Sequence, residues 1–213
     1  MEKVITKDGS VTFFNKEVGD FYHALSGAAE ESFEKYAKPL GVDQVKDPVI
    51  FDICSGMGYN AAAALDTITS NPTIYLFEND LEIMKMALEV NPKFKSYHHT
   101  QSLIRQFLEK KETTYNKDNI SLILMFGDAR KTINQVKEKA DFIFFDPFSP
   151  SKVPDMWQEQ FFKDIKSKSK PGARLATYSC ARFVRNNMIA AGFKVEDGPK
   201  WGRNSPTTIA TLI

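Results

Sequence analysis

Four acidic residues each follow an apolar segment of the kind that forms a buried strand; they are Asp52, Glu78, Asp128 and Asp146. In an open parallel sheet the carboxyl ends of the strands meet at one edge, where ligands bind. We therefore expect the four carboxylates to surround one site. A single acid after a strand is commonly a helix N-cap, and capping alone would account for Asp128. Four such acids in succession favour a binding site.

The first of these acids precedes a glycine turn. Val49 to Ile53 is an apolar run interrupted only by Asp52, and it leads through Gly56 and Gly58 into a predicted helix from Tyr59 to Leu65. Strand, turn and helix in this order bring backbone N–H groups and a helix N-terminus to a nucleotide-sized ligand. A Cβ at either glycine would hinder the approach of that ligand. A tight connection that binds nothing would have the same pattern.

Two nucleotide-containing ligands fit this pattern. Glu78 follows Gly58 by twenty residues, as an acid that binds the ribose of a dinucleotide does. However, Asp52 would repel an anionic pyrophosphate and attract the sulfonium and ammonium groups of S-adenosyl-L-methionine. The sequence therefore favours S-adenosyl-L-methionine as the cofactor. We expect Asp52 near its methionine moiety, Glu78 on its ribose hydroxyls, Asp128 on its adenine amino group, and the backbone of Gly56 and Gly58 against the ligand.

The fourth acid is the candidate for catalysis. Asp146 is followed by Pro147, Phe148 and Ser149, and a proline at this point fixes φ and stiffens the loop. Methyl transfer is an in-line displacement at carbon that depends on positioning an electron pair. If the acceptor is an amine, the Asp146 carboxylate can hold an N–H and favour loss of a proton, while Phe148 forms an apolar or stacking wall. A stabilised turn without chemistry is the alternative.

Composition limits the class of protein. The 213 residues are 42% apolar and 26% charged, which predicts one α/β domain over residues 1–213. No apolar stretch approaches the ~20 residues of a membrane span, and no spacing of His, Cys, Asp and Glu predicts a metal site. The only cysteines, Cys54 and Cys180, argue against a disulfide framework and favour a cytoplasmic location. The oligomeric state is unknown from sequence, with a monomer favoured.

Apolar segments alternate with helical patterns along the chain, which predicts a mostly parallel sheet covered by helices on both faces. The predicted strands are Val49–Ile53, Thr73–Phe77, Ser121–Phe126, Asp141–Phe145, Arg174–Ser179, Phe193–Val195 and Thr207–Leu212. The last two have no helix between them, so the last strand should be antiparallel. This is a Rossmann-like sheet of seven strands. Lys170 to Gly172 predicts a turn before the fifth strand.

Two parts of the chain lie outside this pattern. Residues 1–45 form an N-terminal extension, with a hairpin turn at Asp8-Gly9-Ser10 and a helix from Ala28 to Lys38. Residues 91–119 form a polar insert that contains a helical pattern from Gln101 to Lys111. The last third of the chain is basic, because residues 152–213 hold 11 Lys and Arg against 5 Asp and Glu. This surplus suits a polyanionic partner, although a solvated helix face would also explain it.

Several of these segments together resemble a known family. They are Tyr22-His23 with Gly27–Glu30, Phe51–Asn60, Asp146–Lys152 with Trp157, and Lys170–Gly172 with Leu175–Ser179 and Val184-Arg185. The resemblance is to the methyltransferase domain of tRNA 5-methylaminomethyl-2-thiouridine biosynthesis enzymes (MnmC type), in a stand-alone form without the flavin oxidase domain. It implies a class I methyltransferase fold. Two positions depart from the family, which usually has glycine at Cys54 and alanine at Pro147.

The resemblance also implies an activity and further site residues. The substrate would be the aminomethyl group at C5 of a wobble uridine in tRNA, methylated once on nitrogen with S-adenosyl-L-methionine. Tyr22 and Asn60 would join the cofactor site. The substrate site would contain Pro147, Ser149, Lys152, Trp157, Tyr178, Arg185 and Arg203. Of the basic residues, Lys152, Arg182, Arg185 and Arg203 are expected to face tRNA near the mouth of the site.

Other functions are compatible with the residues alone. A polyamine aminopropyltransferase has a similar sheet and binds decarboxylated S-adenosylmethionine, but it would need an additional acidic pocket for a diamine. A non-catalytic nucleotide-binding or RNA-binding module would leave Asp146 without chemistry. A nicotinamide-dependent reductase is a weaker alternative.

Overall fold

The computed structural model describes all residues from 1 to 213. The strands are β1 (Glu2–Ile5), β2 (Val11–Asn15), β3 (Asp20–Phe21), β4 (Val49–Ile53), β5 (Thr73–Glu78), β6 (Thr114–Lys117), β7 (Ile120–Phe126), β8 (Ala140–Phe145), β9 (Ser169–Thr177), β10 (Phe193–Asp197) and β11 (Thr208–Leu212). The helices are α1 (Ala28–Glu31), α2 (Lys38–Leu40), α3 (Tyr59–Thr67), α4 (Leu81–Ala87), α5 (Tyr97–Lys110), α6 (Ala129–Thr132), α7 (Glu159–Ser167) and α8 (Arg182–Ala190). The segment Ser32–Ala37 between α1 and α2 is π-helical.

The main sheet has the strand order β10-β11-β9-β8-β4-β5-β7-β6. The five central strands are parallel, and β11 is antiparallel to both β9 and β10. This confirms the predicted fold class, with eight strands in place of seven. The additional strand is β6, which the segment at 91–119 contributes. It forms a hairpin with β7 through Asp118 and Asn119, both at positive φ, as a tight hairpin turn requires.

The central strands are buried on both faces, which explains their continuous apolar sequences. In β4, Ile50 faces the core formed with α3, α5 and the helical region from α1 to α2. Phe51 and Ile53 face the core formed with α7 and α8. The four alanines of α3 have no exposed surface, so this helix lies close against its neighbours. None of the helices is both long and apolar enough to cross a membrane.

The N-terminal extension is a three-stranded antiparallel sheet followed by a helix. Its predicted hairpin turn is confirmed, since β1 and β2 pair around Asp8-Gly9-Ser10. The Asp8 carboxylate accepts the Ser10 N–H at 2.9 Å, and its other oxygen accepts the N–H groups of Ala29 and Glu30 at 3.1 and 3.0 Å. Asp8 therefore ties the hairpin to the start of α1, which fixes the extension as one unit.

One local prediction is wrong. Lys170 to Gly172 is not a turn that precedes a strand but lies inside β9. Ser169 pairs with Ala140 of β8 and Arg174 pairs with Phe142, so residues 170–173 form a bulge. Proline and glycine are tolerated at such a bulge because its residues are released from the hydrogen-bond ladder.

Candidate active site

A cavity of about 920 Å³ lies at the carboxyl ends of the parallel strands. This is where ligands bind in open α/β sheets. Cys54 and Gly56 follow β4, Glu78 ends β5, Asp146 to Ser149 follow β8, and Tyr178 follows β9. The N-terminal extension forms the opposite wall, with residues of the β2–β3 hairpin and of the π-helical region. The cavity is therefore built jointly by the main sheet and the extension.

Glu78 is held in place at one end of the cavity. Its carboxylate accepts the backbone N–H groups of Gly56, Asn79 and Asp80 at 2.7, 2.8 and 2.9 Å. Burial raises the pKa of Glu78 despite these three donors. Each carboxylate oxygen has two lone pairs, so a fixed Glu78 keeps acceptor capacity toward the cavity. The prediction that Glu78 faces a ligand site agrees with this position.

Gly56 and Tyr22 lie next to Glu78 in the cavity wall. Gly56 has φ of +53°, and a Cβ on it would lie 3.2 Å from the Tyr22 ring. The Tyr22 hydroxyl donates to Asp80 at 2.6 Å, and its ring packs edge-on against Phe148 at 4.8 Å. Tyr22 thus connects the loop after β5 with the loop after β8. Glycine at position 56 allows this close packing.

The prediction that Gly58 is needed for the approach of a ligand is not supported by its position. Gly58 does not line the cavity. A Cβ on it would lie 2.3 Å from a side-chain carbon of Thr100 in α5, and its φ is +77°. Glycine is needed here for the contact with α5 and for the left-handed start of α3. The segment at 91–119 therefore supports the glycine turn from behind.

Asp146 lies at the other end of the cavity within a network of side chains. The Tyr36 hydroxyl donates to one carboxylate oxygen at 2.5 Å, and the Asn60 amide donates to the other at 3.0 Å. Burial, together with the nearby charge of Glu31, raises the pKa of Asp146 to about 7. A carboxyl with a pKa near neutrality can exchange a proton with a basic acceptor. Asn60 thus contacts Asp146 and does not line the cavity.

Asp52 lies below the cavity and not in its wall. It has no exposed surface, and neither carboxyl oxygen makes a hydrogen bond of good geometry, although the Ala61 N–H and the Asn60 amide lie near it and oppose the effect of burial. Burial and the charge of Asp146 raise the pKa of Asp52 well above its usual range. The expected attraction of a cationic ligand by an ionised Asp52 is therefore not supported by this geometry. Other acids, among them Glu78 and Asp146, line the cavity.

The loop after β8 is fixed by three hydrogen bonds. Tyr178 donates its hydroxyl to the Pro147 carbonyl at 3.0 Å, Trp157 donates its indole N–H to the Phe148 carbonyl at 3.0 Å, and the Ser149 N–H donates to Asp20 at 3.1 Å. Pro147, Phe148, Ser149 and Tyr178 line the cavity, and their contact with a substrate stays a prediction. The prediction that Trp157 contacts substrate is wrong, because its side chain is fully buried. Trp157 supports the loop from below.

Two other predicted residues are outside the cavity. Asp128 accepts the backbone N–H of Arg130 at 3.0 Å as the N-cap of α6, and its side-chain bonds with Arg130 lower its pKa. Arg185 does not line the cavity either, because its guanidinium is bonded to Thr208 at 2.9 Å and to Asp197 at 2.7 Å. The prediction that Arg185 binds substrate is therefore not supported.

Arg203 and Lys152 lie at or near the mouth, whereas Arg182, at the start of α8, is exposed and does not line the cavity. Arg203 lines the cavity, and its guanidinium donates to the carbonyls of Tyr178 and Pro206. Lys152 is exposed, and its ammonium lies beside Gly19 of the β2–β3 hairpin. Lys152 thus belongs to the rim and not to the cavity wall.

Several cavity residues were not predicted from the sequence. Asp20, Glu31 and Lys35 line the cavity, and Tyr36 contacts Asp146. All four belong to the N-terminal extension. Glu31 and Lys35 form an ion pair at 2.6 Å with less than a tenth of either side chain exposed. Their spacing of four residues is also that of an ordinary surface pair on a helix, so no signal in the sequence marks them as buried.

Comparison with known proteins identifies the family. Residues 92–213, more than half of the chain, match a sequence family described as S-adenosyl-L-methionine-dependent methyltransferase. The chain belongs to this family. The matched range of the methyltransferase begins at residue 92, so it includes most of the segment that forms α5 and β6.

Three relatives of this methyltransferase are informative. The uncharacterized protein MJ0670 of Methanocaldococcus jannaschii is 32% identical over 97% of this chain, which spans 58% of that protein. The tRNA 5-methylaminomethyl-2-thiouridine biosynthesis bifunctional protein MnmC of Ralstonia nicotianae is 40% identical over 46% of this chain and 15% of that protein. The crystal structure of MNMC2 from Aquifex aeolicus aligns with a TM-score of 0.80 and 31% identity over 99% of this chain and 70% of that chain.

The cavity of the methyltransferase fits the cofactor of its family. Seven acidic side chains line the cavity against three basic ones, which favours a ligand with sulfonium and ammonium charges. Glu78 is a fixed acceptor of the kind that would hold an adenosine, and Gly56, whose N–H donates to Glu78, lines the cavity beside it without a side chain. Burial lowers the pKa of His23 to about 4, so this cavity residue is neutral near pH 7 and adds no opposing charge.

Proposed function

We propose that this methyltransferase transfers one methyl group to the primary amine of a 5-aminomethyl group on a wobble uridine of tRNA. One observation carries the proposal: Asp146 lines the cavity, accepts from Tyr36 and Asn60, and has a pKa raised by burial and by Glu31 to about 7. A carboxylate at this pKa suits an amine, which must lose a proton before or during attack. The sequence relationship with MnmC supports the nucleoside.

The bound cofactor supplies an electrophilic methyl group. In our proposal Asp146 accepts an N–H of the amine and directs its lone pair, then holds the proton that the amine releases. Tyr36 and Asn60 fix the two oxygens of Asp146, so that the carboxylate does not rotate away from the acceptor. Phe148 forms the wall next to Asp146, where a uracil ring can stack against it.

At the cofactor end, we assign roles that follow the positions of the side chains. Glu78 would accept from the ribose hydroxyls, and the backbone of the glycine turn at Gly56, which lines the cavity, would pack against the ligand. Tyr22 would close the cavity over it. Asp128 is outside the cavity wall, so an interaction with the adenine amino group would require the base to extend toward α6.

The tRNA itself would bind across the mouth. Lys16 and Arg203 line the cavity, Lys152 lies on the rim beside the β2–β3 hairpin, and all three are exposed. Such cations contact phosphates and release counterions, so tRNA binding should weaken steeply as the salt concentration rises. This chain spans 15% of the Ralstonia MnmC protein. We therefore assign the activity of that protein to this methyltransferase as a proposal.

The test is single-turnover methylation followed by mass analysis of the nucleosides. Transfer RNA that carries 5-aminomethyluridine is incubated with the methyltransferase and S-adenosyl-L-methionine, and the same tRNA with unmodified uridine is the control. We expect a gain of one methyl group on the modified nucleoside only. No methylation of the amine, or equal methylation of both tRNAs, would refute the proposed acceptor.

The acidic cavity also permits a test of aminopropyl transfer. A polyamine aminopropyltransferase needs acids for a diamine, and Asp20, Glu31 and Asp146 line this cavity. The family to which the chain belongs favours methyl transfer. Incubation with decarboxylated S-adenosylmethionine and putrescine should therefore give no spermidine. Formation of spermidine at a rate above that of tRNA methylation would reverse this assignment.

A further inference from the structure

The N-terminal extension brings a buried ion pair into the same cavity as Asp146. Glu31 ends α1 and Lys35 lies in the π-helical segment that follows, and their side chains form a contact of 2.6 Å. The second carboxylate oxygen of Glu31 accepts the Ala24 N–H at 2.6 Å. Tyr36, the residue after Lys35, donates to Asp146. One short helical segment therefore carries the pair and also holds Asp146.

Buried ion pairs seldom improve stability over apolar residues of similar size, because both charges lose their hydration. Their retention in a cavity indicates another use. Lys35 lies in a π-helical segment, a conformation that is rare and is frequent at functional sites. In contrast, the pair Glu159–Lys163 has the same spacing and distance but is about half exposed.

The other groups that face Asp146 are neutral or far more exposed. Burial raises the pKa values of Asp52 and Cys54 on the β4 side, of Tyr36 on the helix, and of Tyr178 after β9. Each of these shifts favours the neutral form of its group. Arg203 next to Tyr178 is exposed. Glu31 and Lys35 are the buried charges of the N-terminal extension that act on Asp146.

We propose that the Glu31–Lys35 pair controls the protonation of Asp146 and thereby sets the pH above which the acceptor amine can be deprotonated. Glu31 disfavours a second negative charge nearby, whereas Lys35 favours it, and Glu31 has the larger effect on Asp146. Both are positioning residues, because they act through Asp146. The inference rests on the proposed function only in assigning the amine proton to Asp146.

The experiment compares variants that keep the shape of each side chain and remove its charge. Glu31→Gln should lower the pKa of Asp146, and Lys35→Met should raise it, each by about one pH unit or more. In the double variant the midpoint should lie between those of Glu31→Gln and the wild type, because Glu31 dominates. Glu159→Gln, which removes one charge of the exposed pair, is the matched control and should leave the midpoint unchanged.

Two measurements keep this inference separate from the proposed acceptor. Carbon-13 NMR of aspartate carboxyls follows the titration of Asp146 in the ligand-free protein, with Asp146→Asn assigning the resonance. The pH profile of single-turnover methylation should move in the same direction as that titration. A wild-type titration curve in all three variants would overturn the inference even if methylation occurs. An ordered shift without any methylation would overturn only the acceptor.

Loss of the fold in one single variant leaves the test intact. A single neutralisation leaves an unpaired buried charge, whereas the double variant does not. A midpoint of the double variant at or above that of the wild type would contradict the larger influence of Glu31. Lower rates at all pH values with no change in midpoint would assign the pair a purely structural role and overturn the proposal.

Discussion

The two ends of the cavity hold their acids in different ways. Glu78 is bound by three backbone N–H groups, all from its own loop or from the turn after the neighbouring strand. Asp146 is bound by the side chains of Tyr36 and Asn60, which lie 110 and 86 residues away in sequence. The first site follows from the strand–turn–helix unit of the main sheet. The second exists only after the N-terminal extension has packed against that sheet.

This difference suits Glu78 to cofactor binding and Asp146 to the reaction with the acceptor. Backbone donors cannot be replaced by mutation of their own side chains, so they suit a group that must bind the same cofactor in every reaction. Side-chain donors and a nearby ion pair can tune the proton affinity of a carboxyl, which a reaction with an amine requires. If the two ends are separable in this way, a substitution at one end should leave the function of the other end unchanged.

The largest effect is expected for Asp146→Asn. The substitution keeps the size of the side chain. The oxygen of the Asn60 amide has no partner, so this amide can rotate and accept a hydrogen bond from the new amide at position 146. The loss of the base should reduce the single-turnover rate of methyl transfer by about 10²–10⁴-fold. Affinity for S-adenosyl-L-methionine, measured by calorimetry, should change little. Asp118→Asn in the exposed β6–β7 turn is the control. Equal rates for wild type and Asp146→Asn would make the carboxyl a turn-stabilising group.

A smaller effect is expected for Glu78→Ala, and it should appear in cofactor affinity and not in the rate of methyl transfer. Loss of a buried charged acceptor costs about 2–3 kcal/mol, so the affinity for S-adenosyl-L-methionine should fall by tens of fold. At saturating cofactor the methylation rate should recover most of its wild-type value. Glu138→Ala is the matched control, because Glu138 accepts from Tyr75 outside the cavity. Tight binding of NAD in place of S-adenosyl-L-methionine would argue against the cofactor site as described.

The smallest effect is expected for Trp157→Phe, which tests a supporting contact. The substitution removes the bond to the Phe148 carbonyl and some of the packing against Phe145. We expect a loss of about 1–2 kcal/mol in the free energy of unfolding, visible as a lower melting temperature. The KM for tRNA should stay within a few fold of the wild type. A large rise in that KM with unchanged stability would restore the role of Trp157 in substrate binding.

The fold was largely predictable because its signals are local. Apolar runs such as Val49–Ile53 and Ala140–Phe145 are long enough to identify buried parallel strands; Asp52 lies one residue before the end of the first, and Asp146 directly follows the second. The positions of Glu78, Asp146 and Phe148 at the cavity follow from that rule. The strand β6 and the bulge in β9 were missed, because a short polar edge strand and a Pro-Gly pair inside a strand both look like loop sequence.

The site was predictable only where a residue's neighbours are close in sequence. Glycine at position 58 was correctly expected to be essential, but the partner that requires it is Thr100 of α5 and not a ligand. Asp52 was expected to be ionised, yet burial and the nearby charge of Asp146 raise its pKa and favour its neutral form. Trp157 and Arg185 were expected at the substrate, but each is engaged by other groups of the chain. Side-chain burial and pairing are tertiary properties.

By itself, the sequence determined the parallel sheet, the edge that carries the cavity, and the placement of Glu78 and Asp146 at that edge, because strand periodicity and strand ends are properties of short segments. Only the tertiary structure decided the surroundings of Asp146. Packing of the N-terminal extension against the carboxyl ends of the strands converts Glu31 and Lys35 from an ordinary helical pair into buried charges. The same packing brings Tyr36 to Asp146. Proton affinity depends on distance and hydration, and both are fixed only when remote segments meet.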